Sequence, residues 1–239
     1  MSPALLLVLA HPDDESFLAA GTIARCVEAG VRVGLMCATR GQRGKTSDLC
    51  TIEELPQVRE AELREAARVL GIHELEFSPY QDQHLTEAPP DDMRRRVVRM
   101  VRRMRPQVVF TFDPHGSNQH TDHVAISRFA MDGVAAAADG RWYPEEGEGW
   151  QVERVLWPAM LRVWELEYMP ERESYPGVDY LIDVSAYRDR KEAALRAHRT
   201  QWSGLSKLFL AKPGGMSWEA FRVGAGSRPA HVPAKDLFS

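Results

Sequence analysis

The chain has 239 residues, 44% hydrophobic and 27% charged, a length and composition that suit one large globular domain rather than a disordered segment. Its 30 basic and 34 acidic residues leave a formal charge of −4, which argues against nucleic acid or an anionic membrane as a partner. Cys26, Cys37 and Cys50 are odd in number and lack CxxC spacing, so they read as reduced thiols.

The apolar run 5–9 reads as a strand, too short for a signal-peptide core or a membrane span. A cytoplasmic protein with no stable membrane insertion is expected. Phe17, Ala20, Ile23, Ala24 and Val27 then form a helical stripe that stops at Gly30, and 31–38 is the next strand. After a loop over 40–49, Thr51 and Glu54 have capping-box spacing and Pro56 suits a first helical turn. The amphipathic helix that follows ends at Gly71. A short strand is expected at 75–77. Met93, Val97, Val101 and Met104 make one stripe on an arginine-rich helix, closed by Pro106, and 108–112 is a β-branched and aromatic strand. A further helix spans about 122–138. Beyond Gly140 the pattern weakens: 155–157, 161–164 and 180–184 are candidate strands, 188–198 a candidate helix, and the Gly-rich tail after Lys212 reads as loop.

Strands alternating with helices of this length imply right-handed crossovers and a parallel sheet covered on both faces. The fold class is therefore α/β, a Rossmann-like three-layer sandwich with a mostly parallel sheet. No linker divides it, so 1–239 reads as a single domain with a regular core over about 1–140 and a less regular part over 141–239. In such sheets ligands bind beyond the carboxyl ends of the strands.

Two segments at strand ends carry chemistry. "AHPDDES" places His11, Asp13 and Asp14 where the first strand turns into a helix, and "NQHTDHV" places His120, Asp122 and His123 after the fourth strand. His11, Asp14 and His123 make a three-ligand set, which leaves a fourth position open for water, as a catalytic zinc requires. Asp13 then stands free to accept a proton from that water, and His120 to donate to an oxyanion or leaving nitrogen. Asp122 suits the orientation of an imidazole. Each segment alone is as well explained by helix capping and charge at a helix start; their convergence at one sheet edge favours a site.

These residues resemble the LmbE-like, or PIG-L, family of metal-dependent N-acetylglucosaminyl de-N-acetylases, which includes deacetylases of the mycothiol and bacillithiol pathways. The likeness extends through "GTIAR" at 21–25, "ATRG" at 38–41, Arg59 and Glu62 ahead of "AARVLG", "RPQVVF" at 105–110 and "KEAALRAHRTQ" at 191–201. It implies zinc on His11, Asp14 and His123, Asp13 as general base, and His120 at the oxyanion with Asp122 behind it. It also implies substrate contacts by Arg59, Asp82, His198 and Arg40. Gln42 stands where the family often has an acid, and Thr121 where it commonly has proline.

Other motifs read as decoys. "GQRGKTS" at 41–47 lacks the first glycine of a phosphate loop and reads as a solvated loop, with Arg43 and Lys45 at the mouth of a cleft as the lesser reading. The arginines of 94–105 read as a solvated helix face, and His115 as a loop residue. The expected function is hydrolysis of the acetyl amide of an N-acetylglucosamine-type conjugate with Zn2+, or with Fe2+ or Mn2+ in its place. The alternatives are a hydrolase of another amide and a non-catalytic carbohydrate- or metal-binding relative. The partner is a small amino-sugar conjugate, with a homo-oligomer possible.

Overall fold

In a computed structural model the chain is described over residues 2–159, 177–204 and 216–238. Seven strands form one sheet in the order β3-β2-β1-β4-β5-β7-β6. They are β1 (Ala4–Leu9), β2 (Arg32–Thr39), β3 (Glu74–Tyr80), β4 (Val108–Phe110), β5 (Arg154–Pro158), β6 (Tyr180–Asp183) and β7 (Trp218–Gly226). The pairings among β3, β2, β1, β4 and β5 are all parallel, and β7 runs antiparallel to both of its neighbours.

Helices α1 (Asp14–Glu28) and α2 (Leu55–Leu70) connect strands toward one edge, while α3 (Pro90–Met104), the single turn α4 (Gly116–Gln119) and α5 (Thr121–Ala138) lie on connections toward the other. Right-handed crossovers therefore put α1 and α2 on one face and α3 and α5 on the opposite one. Consistent with this, α3 packs on α5, whereas α1 and α2 both pack on α6 (Arg188–Ala197).

Local sequence accounts for most of these elements. Every residue of β1 is buried, as a central strand covered on both faces requires. Thr51 and Glu54 exchange reciprocal bonds of 3.0 and 3.3 Å, but they close a turn one residue ahead of α2, whose N-cap is Glu54. Gly71 ends α2 in the left-handed conformation at φ 79°. The stripe Met93, Val97, Val101 and Met104 is fully buried, and a Cβ on Gly133 would lie 2.4 Å from that of Val97, so glycine sets how closely α5 approaches α3. Arg94, Arg95, Arg99 and Arg103 of α3, partly or fully exposed, pair with Glu74, Glu76, Asp132, Glu145 and Glu146. Arg102 is the exception. It is buried, and its guanidinium donates to the carbonyls of Ala136, Ala137, Asp139, Tyr143 and Gly147, closing the carboxyl end of α5.

Two expectations need correction. The fourth strand stops at Phe110 instead of residue 112, because Phe112 turns to stack on His123 at a ring separation of 3.8 Å. The tail after Lys212 is not all loop: β7 inserts between β5 and β6, pairing Leu156 with Val223 and Tyr180 with Phe221. The candidate strand at 161–164 lies outside the described residues. No helix among the described residues is long and apolar enough to cross a membrane, and all three cysteines are free thiols.

Candidate functional site

Strand order reverses at β1: the chain proceeds outward through β2 and β3, then returns to place β4 on the other side of β1. The carboxyl ends of β1 and β4 therefore flank a crevice, the place where an open α/β sheet accepts ligands. A cavity of about 450 Å3 opens there, and His11, Asp13, Asp14, Asp82, His120 and His123 line it.

Three ligand-type side chains converge at its floor. His11 Nδ1 lies 3.2 Å from His123 Nε2, which in turn is 3.4 Å from Asp14 Oδ1. Ligand atoms held tetrahedrally at about 2.0–2.1 Å from zinc stand about 3.3 Å apart. The two edges through His123 match that spacing, the edge from His11 Nδ1 to the nearer Asp14 oxygen, Oδ2, is longer at 3.9 Å, and His120 also gathers with His11 and His123 within 4.8 Å. The remaining polar atom of each side chain is already committed. Asp14 Oδ2 accepts from the backbone N–H of His11 at 2.8 Å and of Ala10 at 3.1 Å. His123 Nδ1 faces the Gly116 carbonyl at 3.2 Å and Asn118 Oδ1 at 3.1 Å. His11 Nε2 faces two carboxylates at 3.1 Å each, those of Asp122 and Asp82. With Nε2–H donated backward, the lone pair of a neutral His11 lies on Nδ1 and faces the other two ligands, the arrangement that carboxylates behind metal-bound histidines enforce.

The charges follow from this packing. Burial lowers the pKa of His11, but Asp122, Asp82 and Asp14 outweigh it and raise the metal-free imidazole to about 10. Burial pushes Asp14 upward, and His123 with His11 overrides it, holding the carboxyl at about 2. Asp13 goes the other way: burial raises it to about 6 even though Arg59 pulls it down. Burial and the neighbouring imidazoles push His120 below the ordinary histidine value, so it is neutral at pH 7. His120 Nδ1 accepts from the Asp122 backbone N–H at 3.2 Å and caps α5, which places the proton of the neutral ring on Nε2.

Asp13 has an unusual backbone. It occupies the N-cap position of α1 with φ 121° and ψ −24°, yet its side chain makes no capping bond. Such a conformation costs a non-glycine residue about 1–3 kcal/mol. Its carboxylate instead meets Arg59 Nη2 at 3.1 Å, and Arg59 also donates to the Pro12 and Gly41 carbonyls. A Cβ on Gly41 would sit 1.9 Å from that guanidinium, so only glycine lets the loop close over Arg59.

The structure brings His11, Asp13, Asp14, His120, His123, Arg59 and Asp82 to one cleft and relocates three other expected residues. Asp122 lies behind His11 instead of His120, accepting also from the backbone N–H of Gln83 at 2.6 Å and of Leu85 at 3.1 Å. His198 is fully buried against Glu15 at 2.8 Å and is absent from the cleft wall. Arg40 turns away to Glu60 at 2.6 Å and over the Phe77 ring. Sequence reasoning missed Gln83, Asn118 and Gln201 on the wall; their polar side chains carry no spacing signal. Arg43 lines the wall although its loop reads as solvated from the sequence, and Lys45 does not.

Residues 6–134 match the family described as PIG-L: GlcNAc-PI de-N-acetylase. The 1D-myo-inositol 2-acetamido-2-deoxy-alpha-D-glucopyranoside deacetylase of Geodermatophilus obscurus is 33% identical over 82% of this chain and 82% of its own length. Among solved structures, the conserved protein TT1542 from Thermus thermophilus superposes with a TM-score of 0.72 at 28% identity, covering 96% of this chain and 98% of that one. The N,N'-diacetylchitobiose deacetylase from Pyrococcus horikoshii has a TM-score of 0.73 over 93% of this chain and 84% of that one; at 23% identity it shows a shared fold.

Proposed function

Because the chain belongs to the PIG-L, GlcNAc-PI de-N-acetylase, family, we propose that it is a deacetylase that hydrolyses the acetyl amide of a small N-acetylglucosamine-type conjugate. His11, Asp14 and His123 are the residues that would hold a divalent ion, Zn2+ by the tetrahedral spacing and the mixed nitrogen and oxygen donors, with Fe2+ or Mn2+ compatible with the same set. When bound, that ion supplies Lewis acidity toward the amide carbonyl and toward water.

Within this reading the protein's own groups divide the work. Asp13 accepts the proton of the attacking water; a carboxyl raised toward neutrality is suited to taking that proton and returning it to the leaving nitrogen. His120, neutral and carrying its proton on Nε2, donates to the oxyanion as the tetrahedral centre forms. Asp122 and Asp82 hold the His11 ring in one tautomer. Phe17, Leu18 and Phe112 give the wall an apolar component, and Arg43, Gln83 and Gln201 line it with polar groups for sugar and aglycone.

The observation that carries this proposal is the convergence of three back-bonded ligand atoms beside a carboxylate held in a strained backbone. The test is release of free amine from N-acetylglucosamine conjugates of malate, inositol and phospholipid and from simple N-acetyl sugars, using chelated protein before and after adding zinc. Zinc-restored turnover of one conjugate is expected. A metal-loaded protein that releases amine from none of them would refute the assignment.

A further inference from the structure

The N-cap of a helix ordinarily adopts extended backbone and turns its side chain onto the first turn. Asp13 does neither, so some other group must hold its backbone. Its N–H donates to Glu15 Oε2 at 3.1 Å. Glu15 is fully buried, and its other oxygen accepts from Ser16 Oγ at 2.5 Å and from His198 Nε2 at 2.8 Å. His198 is also fully buried and sits at the carboxyl end of α6, which packs on α1. Neither Glu15 nor His198 lines the cleft.

We propose that Glu15 and His198 are a positioning pair that clamps the Asp13 backbone and thereby aims its carboxylate at the reacting water. The inference rests on the reading of Asp13 as general base. One oxygen of Glu15 fixes the Asp13 amide; the other is anchored to α6, which keeps the carboxylate from rotating to cap α1 instead. Arg59 fixes the opposite end of Asp13, its side chain. The residue is thus held at both ends while the strain at φ 121° is retained. A second buried ion pair nearby shows the contrast. Lys191 and Glu219 meet at 2.8 Å, and Glu219 accepts from the Gly21 and Thr22 amides midway along α1, not at its first turn.

The test compares His198→Leu with His198→Gln, which restores an N–H donor, in the full chain. Three quantities are read: kcat against KM, bound zinc, and hydrogen exchange of the Asp13 amide by NMR in metal-free protein. His198→Leu is expected to lower kcat about 10- to 100-fold, as a small misplacement of a catalytic group does, with KM within about twofold. Zinc stoichiometry should be unchanged, since no ligand is touched, and Asp13 exchange should accelerate about tenfold or more. His198→Gln should recover both kcat and protection. If the leucine variant does not fold, Glu15→Gln, which sets an amide donor against the Asp13 N–H or the His198 N–H, should give the same pattern.

Wild-type kcat with accelerated exchange would overturn the proposal, as would equal loss in the leucine and glutamine variants or loss of zinc together with kcat. If the wild-type protein deacetylates no conjugate, the functional reading fails separately. The exchange arm then still decides whether the clamp exists.

Discussion

Asp122→Asn and Asp82→Asn test whether the two carboxylates behind His11 act as one device. Both oxygens stand 3.1 Å from His11 Nε2, which has a single N–H to share between them. Each amide loses the carboxylate's charge while the other carboxylate stays in place, so each single variant should weaken zinc binding by about tenfold, or ~1.4 kcal/mol, the low end for a group behind a metal ligand. Asp122→Asn should be the more damaging of the two. Asp122 also holds the Gln83 and Leu85 amides, and an amide nitrogen in its place faces one of those donors whichever way it turns, at about 1–3 kcal/mol per orphaned group. That second loss appears in thermal stability. The double variant removes both negative charges behind the ring and lets an amide nitrogen donate to Nε2, which puts the ring proton on Nδ1, the face needed for the ion. Its loss of affinity should exceed the sum of the singles by about 0.5 kcal/mol or more. Competition against a chromogenic chelator measures all four proteins, with thermal melts alongside. Affinities that add within about 0.3–0.5 kcal/mol, or wild-type zinc binding by Asp122→Asn, would refute the shared-acceptor reasoning.

Asp13→Ala should keep its zinc and lose turnover by about 10²- to 10⁴-fold, whereas His11→Ala should lose zinc and turnover together; full activity in Asp13→Ala, measured as amine release, would remove it from the mechanism. Zinc uptake by metal-free protein at pH 8 should release about one proton from His11, whose metal-free pKa of about 10 keeps it charged there, and none from Asp14, already ionised with a pKa of about 2. Apparent affinity should therefore rise by up to about tenfold per pH unit below 10, and calorimetry in buffers of different ionisation enthalpy would expose a proton count near zero as a failure.

What the sequence disclosed depends on how local each signal is. His11 and Asp14 lie just past the end of β1 and His123 in the first turn of α5, on the connection that follows β4, so strand periodicity and the switch-point rule suffice to bring them together. The helices α2 and α3 were legible for the same reason, through stripes that repeat within the element. Partners fixed by the fold were not. Glu15 and His198 are 183 positions apart, and their bond depends on α6 returning over α1. Asp122 faces His11 instead of the adjacent His120 because the 3-10 turn Leu85–Glu87 and the Gln83 amide hold its carboxylate on the β1 side. From sequence alone β7 reads as loop because glycines precede it and lie within it and its pattern alternates only briefly; its strand character comes from pairing on both edges with β5 and β6.

The charge buried at this site is itself an argument for chemistry over architecture. Asp14, Glu15, Asp82, Asp122, His11 and His123 are all under 9% exposed. A buried ionic cluster is weak evidence for stability, because apolar side chains of similar volume commonly serve the fold as well or better. The cluster is also asymmetric in a way a purely structural network has no need to be. Hydrogen bonds from the protein hold the outer atoms of the three proposed ligand side chains, leaving His11 Nδ1 3.2 Å and Asp14 Oδ1 3.4 Å from His123 Nε2 beside an open cleft. Asp13 adds backbone strain at φ 121° and turns its side chain away from the cap and onto Arg59. A chain that was merely burying its first strand would end it in a simple cap; under the proposed function this one stations acids there to hold a cation and a proton.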